Sequence, residues 1–252
     1  MKTDYLQQAD CLEAMQEISD GSVDCIICDL PYGCLNKRSS SGKWDNIIPF
    51  ELLWEQYLRI TKENAAIVLF GSGMFTAKLM MSQPKLWRYN LVWDKVTRTG
   101  FLNSKKMPMR QHEDICVFYR KQPTYNPQME RGKMHSRRRG TTKCNTYDTF
   151  KPFDTPPSDM YFPSSILRFS KGADVAASYH PTVKPVELLR YLIRTFTNVG
   201  DVVLDNTMGS GSTCVAAVLE HRHFIGIEKD EVYFETARQR VLQAQNQINL
   251  FD

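Results

Sequence analysis

The chain has 252 residues, 42% hydrophobic and 24% charged, a balance typical of a globular protein with one large domain or a domain plus an insertion. No apolar run approaches the roughly 20 residues of a membrane-spanning helix, and the first residues lack the apolar stretch of a signal peptide. We therefore expect a cytoplasmic protein with no membrane partner. The net charge of +4 is too small to indicate a partner by itself.

Seven cysteines are scattered along the chain, mostly inside apolar runs, which is typical of buried, reduced thiols. Cys25 and Cys28 have the spacing of a metal-binding or redox pair. Both fall within a predicted strand, however, where side chains three positions apart point to opposite faces. We therefore expect no metal at this pair.

Helical and strand patterns alternate through the first 120 residues. The sequence predicts helices near residues 10–18, 50–60 and 75–81, and strands at 23–28, 65–70, 89–93 and 114–119. Asp10 is of a type preferred at a helix N-cap. The alternation indicates an α/β fold with a mostly parallel sheet and helices on both faces.

The first predicted strand ends abruptly at Asp29-Leu30-Pro31-Tyr32-Gly33. Open α/β sheets bind ligands at the carboxyl ends of their strands. A carboxylate beside an aromatic ring suits a flat, hydrogen-bonding substrate such as a nucleobase. We therefore predict a reactive site at this strand end.

Two stretches carry clustered cations. The segment after Gly33 has the composition of a loop, and its Lys37, Arg38 and Lys43 either close over a substrate or belong to a nonspecific surface. Between residues 121 and 170 the periodicity disappears and prolines interrupt a polar, aromatic-rich stretch, which predicts an irregular insertion. Its excess of cations indicates binding to a polyanion, mostly through phosphates. These cations include Arg131, Lys133, Arg137, Arg138, Arg139 and Lys143.

After residue 185 the alternation returns, with predicted helices at 185–196, 211–220 and 231–245 and strands at 201–205 and 223–228. The glycine-rich segment Asp205 to Thr213 follows a strand and opens a helix, so the backbone can approach a ligand closely and free N–H groups can receive an anion. Glu228 ends the next strand, where it can accept hydrogen bonds from ribose hydroxyls. The pattern predicts a site for a nucleoside cofactor.

Two features argue against a dinucleotide at this loop. Cys214 takes the position of a third glycine, and only one more strand follows. The rest of the sheet must come from upstream chain, so the cofactor half is C-terminal and the Asp29 half is N-terminal.

In this order the motifs resemble those of the β class of amino-group DNA methyltransferases, over nearly the whole chain. Asp29-Leu30-Pro31-Tyr32 is similar to the family's Asp-Pro-Pro-Tyr catalytic motif. Asp205 to Thr213 is similar to its S-adenosylmethionine loop, Asp-Pro-Phe-x-Gly-Ser-Gly-Thr, and His180-Pro181-Thr182-Val183-Lys184-Pro185 matches the segment before that loop. The basic middle region is the least alike.

The resemblance implies a Rossmann-like sheet of seven strands, with a catalytic half at 1–120, a target-recognition insertion at 121–170 and a cofactor-binding half at 171–252. It also implies S-adenosylmethionine as the cofactor, no metal, double-stranded DNA as the partner and a homodimer as a possible assembly. The implied catalytic residues are Asp29, Leu30, Pro31 and Tyr32. The implied cofactor-binding residues are Asp10, His180, Thr182, Lys184, Asp205, Asn206, Gly209, Gly211, Ser212, Thr213 and Glu228. The DNA-binding residues would be the nine cations of the loop and the insertion: Lys37, Arg38, Lys43, Arg131, Lys133, Arg137, Arg138, Arg139 and Lys143.

Two departures from the family pattern bear on the chemistry. Asn206 and Thr207 replace Pro and Phe, so an aromatic wall beside the cofactor is missing. Leu30 replaces the first proline of the catalytic motif. A ring amine is a poor nucleophile because its lone pair is delocalised, and acceptors on its two hydrogens make that pair more available. The Asp29 carboxylate supplies one acceptor and the main-chain carbonyl of residue 30 the other, so the substitution by Leu30 is tolerable.

We therefore predict methyl transfer from S-adenosylmethionine to the N6 amino group of adenine in DNA, with Tyr32 stacking on a flipped base. The nearest alternative is the N4 amino group of cytosine, although Asp at the first catalytic position favours adenine in this family. An RNA methyltransferase, a nicotinamide-dependent oxidoreductase and a non-catalytic DNA-binding module are further alternatives.

Overall fold

The protein is described from a computed structural model, which describes residues 2–34, 45–139, 153–170 and 183–249. The chain divides into two compact units. One comprises Met1–Asn126 and Ser165–Asp252, and the other comprises Pro127–Ser164.

Ten strands are present in the described residues. In chain order they are β1 (Tyr5–Gln8), β2 (Val23–Cys28), β3 (Thr61–Gly71), β4 (Trp87–Thr99), β5 (Arg110–Phe118), β6 (Glu130–Arg139), β7 (Phe153–Tyr161), β8 (Ile166–Arg168), β9 (Val202–Asp205) and β10 (His223–Glu228). All except β6 and β7 form one sheet in the first unit, in the order β1-β10-β9-β2-β3-β5-β4-β8. Among its described pairings, β5 alone is antiparallel to its neighbours.

The predicted α/β fold with a mostly parallel sheet is confirmed, but the expected number of seven strands is wrong, since the sheet has eight. Two edge strands were not visible in the sequence pattern. β1 has 4 residues and β8 has 3, which is too short for an alternation of apolar and polar side chains to be recognised.

Six α-helices cover the two faces of this sheet in the described part of the chain. They are α1 (Cys11–Met15), α2 (Phe50–Ile60), α3 (Met74–Ser82), α4 (Val186–Phe196), α5 (Ser212–Leu219) and α6 (Glu231–Asn249). Asp10 caps α1 as predicted, because its Oδ1 accepts a hydrogen bond of 3.0 Å from the Leu12 N–H. None of the helices described is long and apolar enough to cross a membrane.

Side-chain alternation along β2 divides the interior into two cores. Cys25 and Ile27 pack on one face of the sheet with residues of α4, α5 and α6. Ile26 and Cys28 pack on the other face with residues of α1, α2 and α3. The two cysteines therefore point to opposite faces, as predicted, and both thiols are free and buried. Because β2 is buried on both faces, it is held firmly enough to position the residues that follow it.

The second unit contains an antiparallel two-stranded sheet of β6 and β7. The expectation of an irregular insertion is therefore wrong for these strands. Their sequences, Glu-Arg-Gly-Lys-Met-His-Ser-Arg-Arg-Arg and Phe-Asp-Thr-Pro-Pro-Ser-Asp-Met-Tyr, lack an apolar face, which is the usual sign of a strand. Tyr161 of β7 contacts β6 in two ways. Its hydroxyl donates a hydrogen bond of 2.9 Å to the carbonyl of Lys133, and its ring packs against His135.

Candidate active site

A cavity of about 660 Å³ opens at the carboxyl ends of the central strands in the first unit. The cavity lies at the ends of β2 and β9, which are neighbours in the sheet. The next strand beyond β2 is β3 and the next beyond β9 is β10, so the chain continues from these two strands in opposite directions across the sheet. Such a switch point leaves a crevice between neighbouring strand ends. The residues that follow β2, β9 and β10 all line this cavity.

Asp29 and Tyr32 form a rigid pair at the end of β2. The Tyr32 hydroxyl donates a hydrogen bond of 2.7 Å to Asp29 Oδ1. Burial raises the pKa of the Tyr32 phenol, and the neighbouring Asp29 carboxylate raises it further, so the hydroxyl keeps its proton and remains a donor. The Tyr32 ring stacks on Phe75, with 4.7 Å between the ring centroids. Phe75 therefore covers one face of the ring and fixes its orientation.

The second oxygen of Asp29 belongs to a chain of buried ions. Lys184 donates a hydrogen bond to Asp29 Oδ2, and its Nζ lies 3.4 Å from Glu113 Oε2. The other Glu113 oxygen accepts a hydrogen bond of 3.1 Å from Lys95. Two ammonium groups thus alternate with two carboxylates. Pairing of this kind compensates the cost of burying each charge.

Lys184 stays charged in this setting. Burial lowers the pKa of its ammonium, but Asp29 and Glu113 more than offset that effect, so the net pKa is raised. Only 8% of its side chain is exposed, and its Nζ lies 5.0 Å from the centre of the Phe70 ring. The lysine is a fixed positive charge beside the Asp29 carboxylate.

Leu30 belongs to the core through its side chain. Its side chain is 3% exposed and packs in the core with the residues of β2 that face α1 and α2. Leu30 nevertheless lines the cavity. Because Pro31 follows it, extended geometry is favoured at Leu30.

The glycine-rich loop between β9 and α5 is joined directly to the Asp29 segment. Thr207 donates a hydrogen bond of 3.2 Å from its hydroxyl to the main-chain carbonyl of Asp29, and this hydroxyl lies 2.9 Å from the Cys28 sulfur. Asn206 is held by Tyr57, whose hydroxyl donates a 2.6 Å hydrogen bond to Asn206 Oδ1. The two residues that depart from the family motif are therefore ordered parts of the cavity wall.

Carboxylates line the part of the cavity at the ends of β9 and β10. Glu228 accepts hydrogen bonds from the N–H groups of Gly209, at 2.9 Å, and Asp230, at 2.8 Å. Burial raises the pKa of Glu228, and these N–H groups partly offset the effect. Burial also raises the pKa of Asp205, to about 6. Asp10 lines the same wall and pairs with Lys229 at 3.1 Å. This side of the cavity is acidic and suits a cationic ligand.

Most of the predicted catalytic and cofactor residues lie in this one cavity. Its lining includes Asp10, Asp29, Leu30, Pro31, Tyr32, Lys184, Asp205, Asn206, Gly209, Ser212, Thr213 and Glu228. Gly211 does not line it, but supports the loop from behind as the residue before α5. His180 and Thr182 lie outside the described residues.

The predicted DNA-binding cations are distributed differently. Arg131 and Lys133 lie on β6 with exposed side chains, and Arg137, Arg138 and Arg139 end the same strand. Lys37, Arg38, Lys43 and Lys143 lie outside the described residues.

Several residues of the site were missed in the sequence. Glu113 and Lys95 stand in strands with no motif around them. The missing signal is the direction of β5, since an antiparallel strand brings its first residues to the edge where its parallel neighbours end. Tyr233, near the start of α6, also lines the cavity and offers an aromatic ring. Within the described residues, no group of three or more His, Cys, Asp or Glu side chains could hold a metal ion.

A family model described as DNA methylase, N6_N4_Mtase, matches residues 23–239 of the chain. The type II methyltransferase M2.MboI of Moraxella bovis is 26% identical over 93% of this chain and 86% of its own length. The type II methyltransferase M2.DpnII of Streptococcus pneumoniae is 27% identical over 97% of this chain and 91% of its own length.

Solved structures share the fold. The M1.HpyAVI–SAM complex is 22% identical with a TM-score of 0.63, covering 94% of this chain and 98% of that one. The cytosine-N4-specific PvuII DNA methyltransferase is 14% identical with a TM-score of 0.70, covering 98% of this chain and 93% of that one.

Proposed function

The chain belongs to the N6_N4_Mtase family of S-adenosylmethionine-dependent DNA methylases, and we propose that it methylates the N6 amino group of adenine in double-stranded DNA. One observation carries the proposal: the Asp29 carboxylate and the acidic wall formed by Asp205 and Glu228 face the same cavity. An acceptor for an amine and a site for a cationic nucleoside are thus adjacent.

The chemistry of the cofactor wall fits S-adenosylmethionine. Bound there, it supplies an electrophilic methyl group on a positively charged sulfur. Asp205 and Glu228 offer carboxylates to the positive charge and to the ribose hydroxyls, and the backbone around Gly209 can approach closely. Lys184, Asn206, Ser212 and Thr213 line the same wall. Tyr233 lines the same cavity and offers an aromatic ring there.

The Asp29 segment would activate the amine. Asp29 and the Leu30 carbonyl accept hydrogen bonds from its two hydrogens, so that the nitrogen lone pair becomes available. S-adenosylmethionine held by the wall of Asp205 and Glu228 would supply the methyl group to this nitrogen. The nitrogen then loses one proton, which Asp29 can take and pass to water. Lys184 donates a hydrogen bond to Asp29 Oδ2 and so fixes the direction of the carboxylate.

Tyr32 provides the platform for the base. Phe75 covers one face of its ring, so the other face is the one offered to a planar substrate. An adenine within a duplex cannot reach this position, so we infer that the target base is flipped out of the helix. The hydrogen bond to Asp29 keeps the ring and the carboxylate in fixed relative positions.

The second unit would supply DNA contacts. The cations of β6 are typical of phosphate binding, which positions a protein on the duplex. The relatives M2.MboI and M2.DpnII carry the name type II methyltransferase, which suggests a place beside a restriction activity.

The proposal is tested by identifying the product. The purified protein is incubated with methyl-labelled S-adenosylmethionine and unmethylated DNA, the DNA is digested, and the labelled nucleoside is identified. We expect N6-methyldeoxyadenosine. Labelled N4-methyldeoxycytidine would show that the substrate is cytosine and not adenine. Absence of label in every nucleoside would refute methyl transfer to DNA.

A further inference from the structure

A short loop beside the site has no role in the chemistry described above. Residues Gly100–Met109, called the β4–β5 loop here, join β4 to β5. Phe101–Asn103 forms a 3-10 turn, with hydrogen bonds of 3.1 Å from the Asn103 N–H to the Gly100 carbonyl and 3.0 Å from the Ser104 N–H to the Phe101 carbonyl. The loop therefore has a defined shape of its own.

The tip of this loop is apolar and exposed. Phe101 is 71% exposed and Leu102, its neighbour, is 83% exposed. Burying a side chain of this size in a complex removes apolar surface from water and so stabilises the complex. Phe101 and Leu102, together called the wedge here, are therefore two neighbouring apolar side chains that are not buried within the described part of the protein.

The sequence around the wedge carries cations and no carboxylates. Residues 96–112 contain Arg98, Lys105, Lys106 and Arg110 and no aspartate or glutamate. This charge pattern favours a polyanion as the occupant, because the cations attract negative charge and repel a basic protein surface. Some DNA-binding proteins insert apolar side chains between stacked bases, while neighbouring cations bind the phosphates. The wedge and its flanking cations have this combination.

The loop stands beside the opening of the cavity. β4 runs parallel to β2, so the loop leaves the sheet at the same edge as Asp29. Thr99 pairs with Arg110, which is only three residues before Glu113, the partner of Lys184. Three residues of strand span roughly 10 Å. Arg110 is also close enough to Cys34, on the cavity wall, to lower the pKa of its thiol, although burial of that thiol raises the pKa overall.

We propose that Phe101 and Leu102 insert into the DNA duplex at the position that the target base leaves. The inference rests on the proposed function, since it assigns these side chains to the same DNA. Flipping a base leaves a gap in the stack and costs free energy, because stacking and pairing are lost. The wedge fills that gap and offsets part of the free energy of flipping, while Lys105 and Lys106 bind the adjacent phosphates.

The test compares binding to two fluorescent 30-base-pair duplexes of one sequence, fully paired or with a central abasic site. The abasic gap accepts the wedge without any flipping, so we expect the wild type to bind that duplex roughly tenfold more tightly. The double variant Phe101→Ala/Leu102→Ala should bind both duplexes equally, because its cations remain. The variant Met74→Ala/Met81→Ala, which truncates two exposed apolar side chains on α3, should keep the preference.

A preference that persists in the Phe101→Ala/Leu102→Ala variant would overturn the proposal, as would a wild type that binds both duplexes equally. The assay needs no methyl transfer. A wild type that prefers the abasic duplex and yet labels no nucleoside would therefore refute the proposed reaction without refuting the wedge.

Discussion

Asp29 is held by two donors, and an incoming amine must share its oxygens with them. Tyr32 occupies Oδ1 and Lys184 occupies Oδ2. Each carboxylate oxygen can accept more than one hydrogen bond, so these contacts orient the group without blocking it. Glu113 gives Lys184 a second partner at 3.4 Å, toward which the ammonium can move when the base arrives.

Replacing Lys184 by methionine tests this arrangement. Without the ammonium, Asp29 loses the hydrogen bond that orients its Oδ2, and the Asp29 and Glu113 carboxylates lose the positive charge that they share. We expect methyl transfer to fall about 100-fold, measured by single-turnover rates. Lys95→Met, which removes the ammonium that contacts Glu113 alone, should cost much less. Equal losses in both variants would contradict this role for Lys184.

Asp205 should make cofactor affinity depend on pH. Its pKa is raised to about 6 by burial, so it is ionised above that pH and protonated below it. A positively charged ligand binds better to the ionised form, so we expect the affinity for S-adenosylmethionine to fall as the pH is lowered from 7 to 5.5. Asp205→Asn should remove this dependence, whereas Asp10→Asn should retain it. Titration calorimetry at several pH values provides the measurement, and an unchanged dependence in Asp205→Asn would refute the assignment.

At the scale of elements, the turn from β9 into α5 depends on Gly211. Its φ is +77°, and an added Cβ would lie 2.8 Å from the Cβ of Ala237 in α6. The loop and α6 therefore fit against each other without space for a side chain.

Gly211→Ala should push the loop away from α6 and weaken S-adenosylmethionine binding by at least about tenfold, because both backbone strain and a steric clash are introduced. Gly200→Ala is the matched control, since Gly200 has φ +83° but no atom within 4 Å of an added Cβ. The control should lose stability, by about 1–2 kcal/mol, without losing affinity. Thermal unfolding and calorimetry separate the two effects, and equal affinities would contradict the role of the turn.

The elements differ in how far the sequence predicts them. β2 and α2 were predictable because continuous or periodic apolar residues mark buried elements. β6 and β7 were not, because their charged side chains carry no such pattern. Asp29 and Asp205 were predictable from strand ends followed by turns. Glu113 was not, because its position depends on the antiparallel direction of β5, which is decided by pairing between distant segments.

At the scale of the whole molecule, the cavity proposed for catalysis and the β6 cations proposed for phosphate binding fall in different parts of the chain. The cavity belongs to the first compact unit, whereas Arg131, Lys133 and Arg137 to Arg139 belong to the second. The two functions should therefore respond separately to mutation.

Neutralising Arg137, Arg138 and Arg139 with glutamine should weaken DNA binding and leave the affinity for S-adenosylmethionine unchanged. For every phosphate that the variant no longer neutralises, the slope of log affinity against log salt should become shallower by about 0.9. Arg238→Gln, on α6, serves as a control for the removal of a surface charge. An unchanged salt slope in the triple variant would exclude these arginines from the DNA interface.

The central claim is that Asp29 acts on the target amine while a separate wall of the same cavity holds the cofactor. The most direct test measures single-turnover methyl transfer and S-adenosylmethionine affinity on one preparation of Asp29→Ala. We predict that transfer falls by at least about 100-fold while the dissociation constant changes by no more than about threefold. Transfer close to the wild-type rate, or loss of transfer and cofactor binding together, would contradict the account.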